Sequence, residues 1–283
     1  MLEALYDRPN VKDHRMLPLL ERRKQVITMS AQVRILSLGG GLQSTVIFLM
    51  MLEGRIPKAD WVVFADTGSE QDHTLKTVAW VEKLCESNGI NFMIVKNEKL
   101  FPIHKHYLKL GRVPMIGTPR CTDNFKIQPI NKWIRSIVDE SKPKPWAEIL
   151  LGITMDESHR MRENPRQYLK NSFPLIELGL TRSQCQGWLN TKYPNNEIKK
   201  SGCWHCHYQP GKEWAKLRRE SPELFEIAVE MEEAAKANCV RNFGLMAGRT
   251  IQGYDHGGIT LEDFGFEIQP GDFDCSATGG CFL

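Results

Sequence analysis

The chain lacks the features of a secreted or membrane-spanning protein. None of its apolar runs approaches the roughly 18 residues of a membrane span, and its opening stretch, MLEALYDRPNVKDHRMLPLLERRKQV, breaks every short apolar run with charge, unlike a secretory leader. Charge of one sign is also lacking. The formal net charge is +3 and the pI about 8.4, which permits a polyanionic partner without demanding one. Internal repeats and low-complexity tracts are absent as well. A soluble, cytoplasmic protein without membrane contact is therefore expected. Its eight cysteines then lie in a reducing compartment, where grouped cysteines more often mean metal or redox chemistry than disulfides. The 283 residues, 41% hydrophobic and 25% charged, suffice for one large or two modest globular domains.

Residues 1–30 read as a charged N-terminal extension. From Val33 the pattern changes. VRILSL, WVVFAD (Trp61–Asp66), NFMIVK and AEILLGI (Ala147–Ile153) are short apolar runs suited to buried strands. Helical patterns separate them, the first closed by Gly54 and the second by Gly89. This alternation predicts an α/β fold with a doubly wound parallel sheet over residues 31–160. A smaller, mainly helical cysteine-containing region is expected over 161–242 and a glycine-rich tail over 243–283. Within the former, Ser221 and Pro222 open a helix whose apolar stripe is Leu224, Ala228, Met231 and Ala235.

The first strand runs into SLGGGLQST, where Gly39, Gly40 and Gly41 precede Gln43 and Ser44. This is neither a Walker sequence, since no Gly-Lys-Ser/Thr follows, nor G-x-G-x-x-G. Two readings stand. One is a turn that has only to be small. The other is an anion site of bare amides, the Ser44 hydroxyl and a helix N-terminus, at the carboxyl end of a strand where open α/β sheets bind ligands.

SLGGGLQST resembles the pyrophosphate loop, Ser-Gly-Gly-x-Asp-Ser, of the adenine nucleotide alpha hydrolase-like superfamily, the N-type ATP pyrophosphatases or PP-loop proteins. Three further blocks fit its phosphoadenylyl-sulfate reductase-like branch in order: FADTGSE, RCTDNFKIQPI (Arg120–Ile130) and GITMDESHRMRE. The resemblance spans roughly residues 33–210. It implies a Rossmann-like fold binding ATP or another adenylyl nucleotide with magnesium. It places Gly39, Gly40, Gly41, Gln43, Ser44, Asp66, Thr67, Gly68, Arg120, Lys126, Gly152, Asp156, Glu157 and Arg160 against the nucleotide, with Ser44, Asp66 and Arg160 as catalytic candidates. Gly39 stands where the family usually has Ser, and Gln43 where it usually has Asp. Each block also has a structural reading: Asp66 and Thr67 as turn or cap residues, Arg120 and Lys126 as solvated cations, Glu157 and Arg160 as an ion pair on one helical turn.

SGCWHCHYQPG carries Cys203 and Cys206 as C-x-x-C, with His205 and His207 beside them. Two soft ligands on one turn suit a metal or a redox pair. Cluster-bearing sulfonucleotide reductases pair a Cys-Cys in the block matching RCTDNFK with a later C-x-x-C. Here Cys121 matches the first and Thr122 replaces the second. Cys185, in LTRSQCQGWL, is the candidate substitute. Cys121, Cys185, Cys203 and Cys206 are thus expected to hold a [4Fe–4S] cluster, with zinc, ligated in part by His205 or His207, as the alternative. Cys85 and Cys239 are expected to be small packed residues. The tail pair Cys275 and Cys281 lacks the Glu-Cys-Gly-Leu-His setting of the reductases and is a candidate relay or half-site.

The resemblance leaves three functions. The first is an ATP-dependent adenylyl or sulfur transferase acting on tRNA, DNA or a nucleotide, supplied by a sulfur donor such as a cysteine desulfurase. The second is phosphoadenylyl- or adenylyl-sulfate reduction to sulfite. The third is a metal-stapled nucleic-acid-binding module without catalysis. CWHCHYQPGKEWAKLRR suits a nucleic-acid strand if Trp204, Tyr208 and Trp214 stack while Lys212, Lys216, Arg218 and Arg219 meet phosphates. It equally suits a helix whose Trp214 and Leu217 pack inward. Of the three, the transferase is the expected function.

Overall fold

The structure, a computed structural model, describes residues 31–114, 120–238, 240, 244–246 and 250–252. The N-terminal extension, Cys239 and most of the tail, Cys275 and Cys281 included, lie outside the described residues. Strands β1 (Val33–Leu38), β2 (Trp61–Ala65), β3 (Asn91–Val95), β4 (Ala147–Leu150) and β5 (Leu169–Ser172) form one sheet in the order β3-β2-β1-β4-β5. Every neighbouring pair is parallel. Such pairs need long crossovers, and the segments between strands supply them as helices. Ile35, Leu36, Val62 and Val63 are fully buried, as expected of strands covered on both faces.

The helix after β1, α1 (Leu42–Leu52), has no continuous polar face, and all but Gln43 and Leu52 are buried. A helix apolar all round needs neighbours on both sides. The sheet covers α1 on one side through Leu36, Leu38, Val62 and Phe64, while Leu175, Cys185 and Leu189 join the same core from further along the chain. Helix α2 (Asp72–Ser87) ends at Asn88, and Gly89 follows at φ +64°, the left-handed residue expected there. Next come α3 (Ile103–Leu110) and α4 (Gln128–Ile137). Directly before α4, Asp123–Ile127 winds as a π-helical turn, a distortion that proteins often keep at functional sites.

The sheet passes the boundary expected at residue 160. β5 adds a fifth strand, and its sequence, LKNS, carries no apolar run because it lies at the sheet edge. Edge strands tolerate polar residues. Lys170 of β5 and Arg34 of β1 both reach Glu148 of β4, at 3.6 and 2.8 Å. Burial pushes the Glu148 carboxyl up, but the Arg34 hydrogen bond and charge outweigh it and hold the group below its usual value. Helix α5 (Arg182–Lys192) opens on a reciprocal cap: the Gln184 amide donates to Thr181 Oγ1 at 3.3 Å, and the Thr181 amide to Gln184 Oε1 at 2.8 Å.

A second core forms where α6 (Gly211–Glu220) and α7 (Pro222–Ala237) meet residues of α3. Ala228, Met231 and Ala235 of the expected α7 stripe are fully buried, and Leu224 packs at its margin. Pro222 occupies the first turn as expected, but the Ser221 side chain caps nothing. Trp204 and Trp214 are 5% and 0% exposed inside this core, so neither is available to stack on a base. The inward-packing reading of that segment is the correct one. Among the described residues, no helix is long and apolar enough to cross a membrane.

Candidate nucleotide and thiol site

In this sheet the chain leaves β1 toward β2 and returns on the other side at β4. The carboxyl ends of β1 and β4 therefore flank the switch point where such folds bind ligands. Gly39–Ser44 follows β1, and Gly152 follows β4. The loop folds onto the first turn of α1: the Gly39 amide donates to Ser44 Oγ at 3.1 Å, and Thr45 Oγ1 donates to the Gly41 carbonyl at 2.8 Å. No side chain caps α1. Each remaining glycine has a packing reason as well. Gly40 sits at φ +70°, and a Cβ there would meet Thr74 of α2 at 2.8 Å. A Cβ on Gly41 would meet Ser201 Oγ at 2.8 Å, and one on Gly152 the backbone nitrogen of Ser44 at 2.7 Å. Three segments thus close on the loop: α2, the end of β4, and Ser201 from beside the C-x-x-C.

Gln43, Glu157 and Arg160 come together. Gln43 Nε2 donates to Glu157 Oε2 at 3.1 Å, and Arg160 Nη1 lies 3.1 Å from the same oxygen. Gln43 is thus an uncharged donor to a buried carboxylate, whereas Asp at that position would repel it. Asp66 and Asp156 serve local geometry: Asp66 Oδ1 accepts the Gly68 amide at 2.7 Å, and Asp156 Oδ1 accepts the Arg182 amide at 3.0 Å at the start of α5. Thr67 is buried and turns toward sulfur, with Oγ1 donating to Glu70 Oε1 at 2.9 Å and lying 3.3 Å from Cys203 Sγ.

The C-x-x-C segment is tied to the turn after β2. The Gln71 amide donates to the Gly202 carbonyl at 3.0 Å, and the Trp204 amide to the Ser69 carbonyl at 2.9 Å. These bonds flank an antiparallel bridge between Glu70 and Cys203. His73 Nε2 adds a 2.8 Å bond with the Lys200 carbonyl. Ser201 and Glu70 are the functional-site residues that the sequence reading left out. Glu70 lay inside the FADTGSE block, and Ser201 stood two residues before Cys203, so the signal was proximity alone.

Cys203 and Cys206 share one tight turn, closed by the Cys206 amide on the Cys203 carbonyl at 3.1 Å. Burial, then the Glu70 charge, push the Cys203 thiol well above its usual value, while Lys126 draws it down. Cys121, Arg120 and Cys203 all act electrostatically on the Tyr107 hydroxyl, so the RCTDNFK block and the C-x-x-C share a neighbourhood. Cys185 does not join it. It is fully buried in the α1–α5 core, and burial, followed by Asp156, pushes its thiol up to about 12. There it packs with Leu175 and Leu189 as a small apolar side chain would. Cys85 is likewise buried in that core.

His205 and His207 are 1% and 6% exposed, and none of their four ring nitrogens has a hydrogen-bond partner. Burial lowers their pKa values to about 3 and about 4, so both rings are neutral at pH 7. Among the described residues, no three His, Cys, Asp or Glu side chains stand around one point as a metal ion requires.

No known family's sequence profile matches the chain. It is similar, at 27% identity over 207 residues, to a curated protein of Methanocaldococcus jannaschii called "Uncharacterized protein MJ0066". The match covers 68% of this chain and 40% of that protein, so the chain spans well under two thirds of its relative's length.

Proposed function

We propose that the chain is a cytoplasmic PP-loop transferase, in which an adenine nucleotide activates an acceptor oxygen and sulfur replaces it. One observation carries this reading. Ser201–Cys203 is seated between the glycine loop and the turn after β2, so a thiol lies near the loop that follows β1. The loop amides and the N-terminus of α1 receive phosphate, and Ser44 and Arg160 add a hydroxyl and a positive charge. Asp66, a hard oxygen donor with one oxygen on the Gly68 amide, is the residue suited to magnesium, which would neutralise phosphate charge when bound. Lys126, an electrostatic neighbour of Cys203, offsets part of the rise that burial and Glu70 impose on that thiol. The acceptor oxygen attacks the α-phosphorus and pyrophosphate leaves; the terminal sulfur of a desulfurase persulfide then attacks the activated atom and displaces adenylate, and a dithiol reductant cleaves the resulting disulfide to leave the thiolated product. Nucleic acid, tRNA or DNA, is the acceptor class this reading favours.

The test is an anaerobic reaction with ATP, cysteine, a desulfurase, a dithiol reductant and either bulk tRNA or DNA. Acceptor-dependent pyrophosphate release and radiolabelled sulfur in the nucleic acid are expected. With adenylyl sulfate and thioredoxin, no sulfite should appear. Sulfite at an enzymatic rate, on the order of one turnover per second, would replace the transferase by a sulfonucleotide reductase.

A further inference from the structure

We infer that the outer face of α3 is a docking surface for the phosphodiester backbone of a nucleic acid, with Lys105, Lys109 and Arg112 as its cations. The inference rests on the transferase reading for the choice of acceptor class, and it adds the surface along which that acceptor reaches the site.

The first reason is a charge imbalance confined to one stretch. Between Glu98 and Asp123 the chain carries Lys99, Lys105, Lys109, Arg112 and Arg120 and no Asp or Glu. Over the whole chain the two signs nearly balance, at 37 basic and 34 acidic residues. Arg34, Arg135, Lys170 and Lys192 lie 2.8 to 3.6 Å from carboxylates. Lys105, Lys109 and Arg112 form no ion pair among the described residues. Helix α7 packs on α3, with Asn238 Nδ2 donating to the Gly111 carbonyl at 3.2 Å, yet its exposed Glu230 and Glu233 pair with none of the three. On α6, by contrast, Lys216 and Arg219 are already engaged by Glu220 at 3.9 and 3.1 Å.

The second reason is how the fold sorts the faces of α3. Ile103 is buried, and Tyr107 and Leu108 pack on the second core. Lys105 and Lys109, four residues apart, share the outward face, and both are exposed. Arg112, also exposed, follows the left-handed Gly111 that ends the helix, with its amide on the Tyr107 carbonyl at 3.1 Å. The helix dipole favours Lys109 in the last turn but disfavours Lys105 in the first, where no acid accompanies it. Helix stability therefore does not account for the stripe.

The third reason is where α3 leads. The Ile103 amide donates to the Thr67 carbonyl at 2.9 Å, and Ser69 Oγ lies 2.8 Å from His104 Nδ1. These bonds pin the start of α3 on the turn after β2, where Thr67 Oγ1 lies 3.3 Å from Cys203 Sγ. A backbone laid along α3 thus runs toward the thiol. The helix rises about 12 Å, the axial length of about three phosphates of one strand at about 3.4 Å each. Leu110, 48% exposed, is the single large apolar side chain that α3 exposes to this extent. That is too little for a helix lying in a membrane surface, so nucleic acid is the polyanion that fits.

The experiment is fluorescence anisotropy of labelled bulk tRNA and of a labelled single-stranded DNA with the full chain, without ATP, from about 50 to 200 mM salt. The wild type should bind both, with affinity that falls steeply as salt rises. Lys105→Gln, Lys109→Gln and Arg112→Gln together should weaken binding at least about ten-fold and lower the salt slope by about two to three, near one for each cation. Lys58→Gln, Lys142→Gln and Lys144→Gln together remove the same charge from exposed residues that precede β2 and β4, at the other end of the sheet. That variant should match the wild type in affinity and slope. Circular dichroism checks that both variants are folded, and ATP binding by the α3 variant should equal that of the wild type. No nucleic-acid binding by the wild type, equal losses in the two variants, or tighter binding to phosphatidylserine vesicles than to tRNA or DNA at the same salt would each overturn the proposal. Because the anisotropy samples contain no ATP, a glycine loop that fails to bind nucleotide leaves their result standing.

Discussion

Gly152 and Gly39 look alike in the sequence and differ in what surrounds them. A methyl on Gly152 would stand 2.7 Å from a backbone nitrogen of α1 and 3.0 Å from Gln43 Cβ. Backbone cannot swing aside as a side-chain end can, so β4 and α1 would have to part. Around Gly39 the nearest atoms are hydroxyls at 3.8 and 3.9 Å, which is ordinary contact. Gly152→Ala is therefore predicted to cost about 1–3 kcal/mol, in the range of overpacked cores. Gly39→Ala should stay within about 0.5 kcal/mol. Urea unfolding of the two variants decides it, and equal midpoints would show that the β4–α1 contact is looser than described. The same contrast shows what the sequence withholds. The triplet marks the loop, but which atom each glycine makes room for depends on Thr74, Ser201 and Ser44, and two of these come from other elements.

On α7 one carboxylate does the work of a clasp. Glu232 is 2% exposed and accepts the Leu245 amide at 2.7 Å and the Ile251 amide at 3.1 and 3.0 Å, one to each oxygen. Burial raises its pKa to about 7; the two amides oppose the rise and the neighbouring Glu233 adds to it. Between the ordinary 4.5 and about 7, the folded chain keeps a proton that the unfolded chain has released. Stability should therefore fall as pH climbs through that window and level off above it, by a total on the order of 3 kcal/mol. Glu232→Gln removes the titration while keeping an acceptor oxygen, so its stability should vary less between pH 5 and pH 8. Identical pH slopes for the two proteins would assign the dependence to other groups. At this scale, elements with an apolar signature were legible. The first four strands, the α7 stripe and the glycines after α1 and α2 all stood out. β5 was not legible, because an edge strand reading LKNS has no apolar run to betray it. Nor was the fate of Trp204 and Trp214, since burial by α3 and α7 is a property of the assembled core.

Across the whole molecule, the sequence motifs predicted which residues gather but not always which partners they find. The glycine loop, Gly152 and the Gln43–Glu157–Arg160 group come together at one end of the sheet. Cys185 is buried in the core, a place its spacing in the sequence did not reveal, because a thiol serves equally well as a small core residue. The central claim is that the glycine loop receives an adenine nucleotide beside the Ser201–Cys203 segment. Gly39 offers the sharpest probe of it. Its surroundings leave room for a side chain, so Gly39→Asp puts a negative charge at the anion site without the clash that Gly40 would suffer against Thr74. Isothermal titration of ATP with magnesium into the wild-type chain and into Gly39→Asp of equal thermal stability is the direct measurement. Saturable binding by the wild type, weakened at least about ten-fold (roughly 1.4 kcal/mol) by Gly39→Asp, is predicted. No binding by the wild type, or binding that the added carboxylate leaves unchanged, would contradict the account.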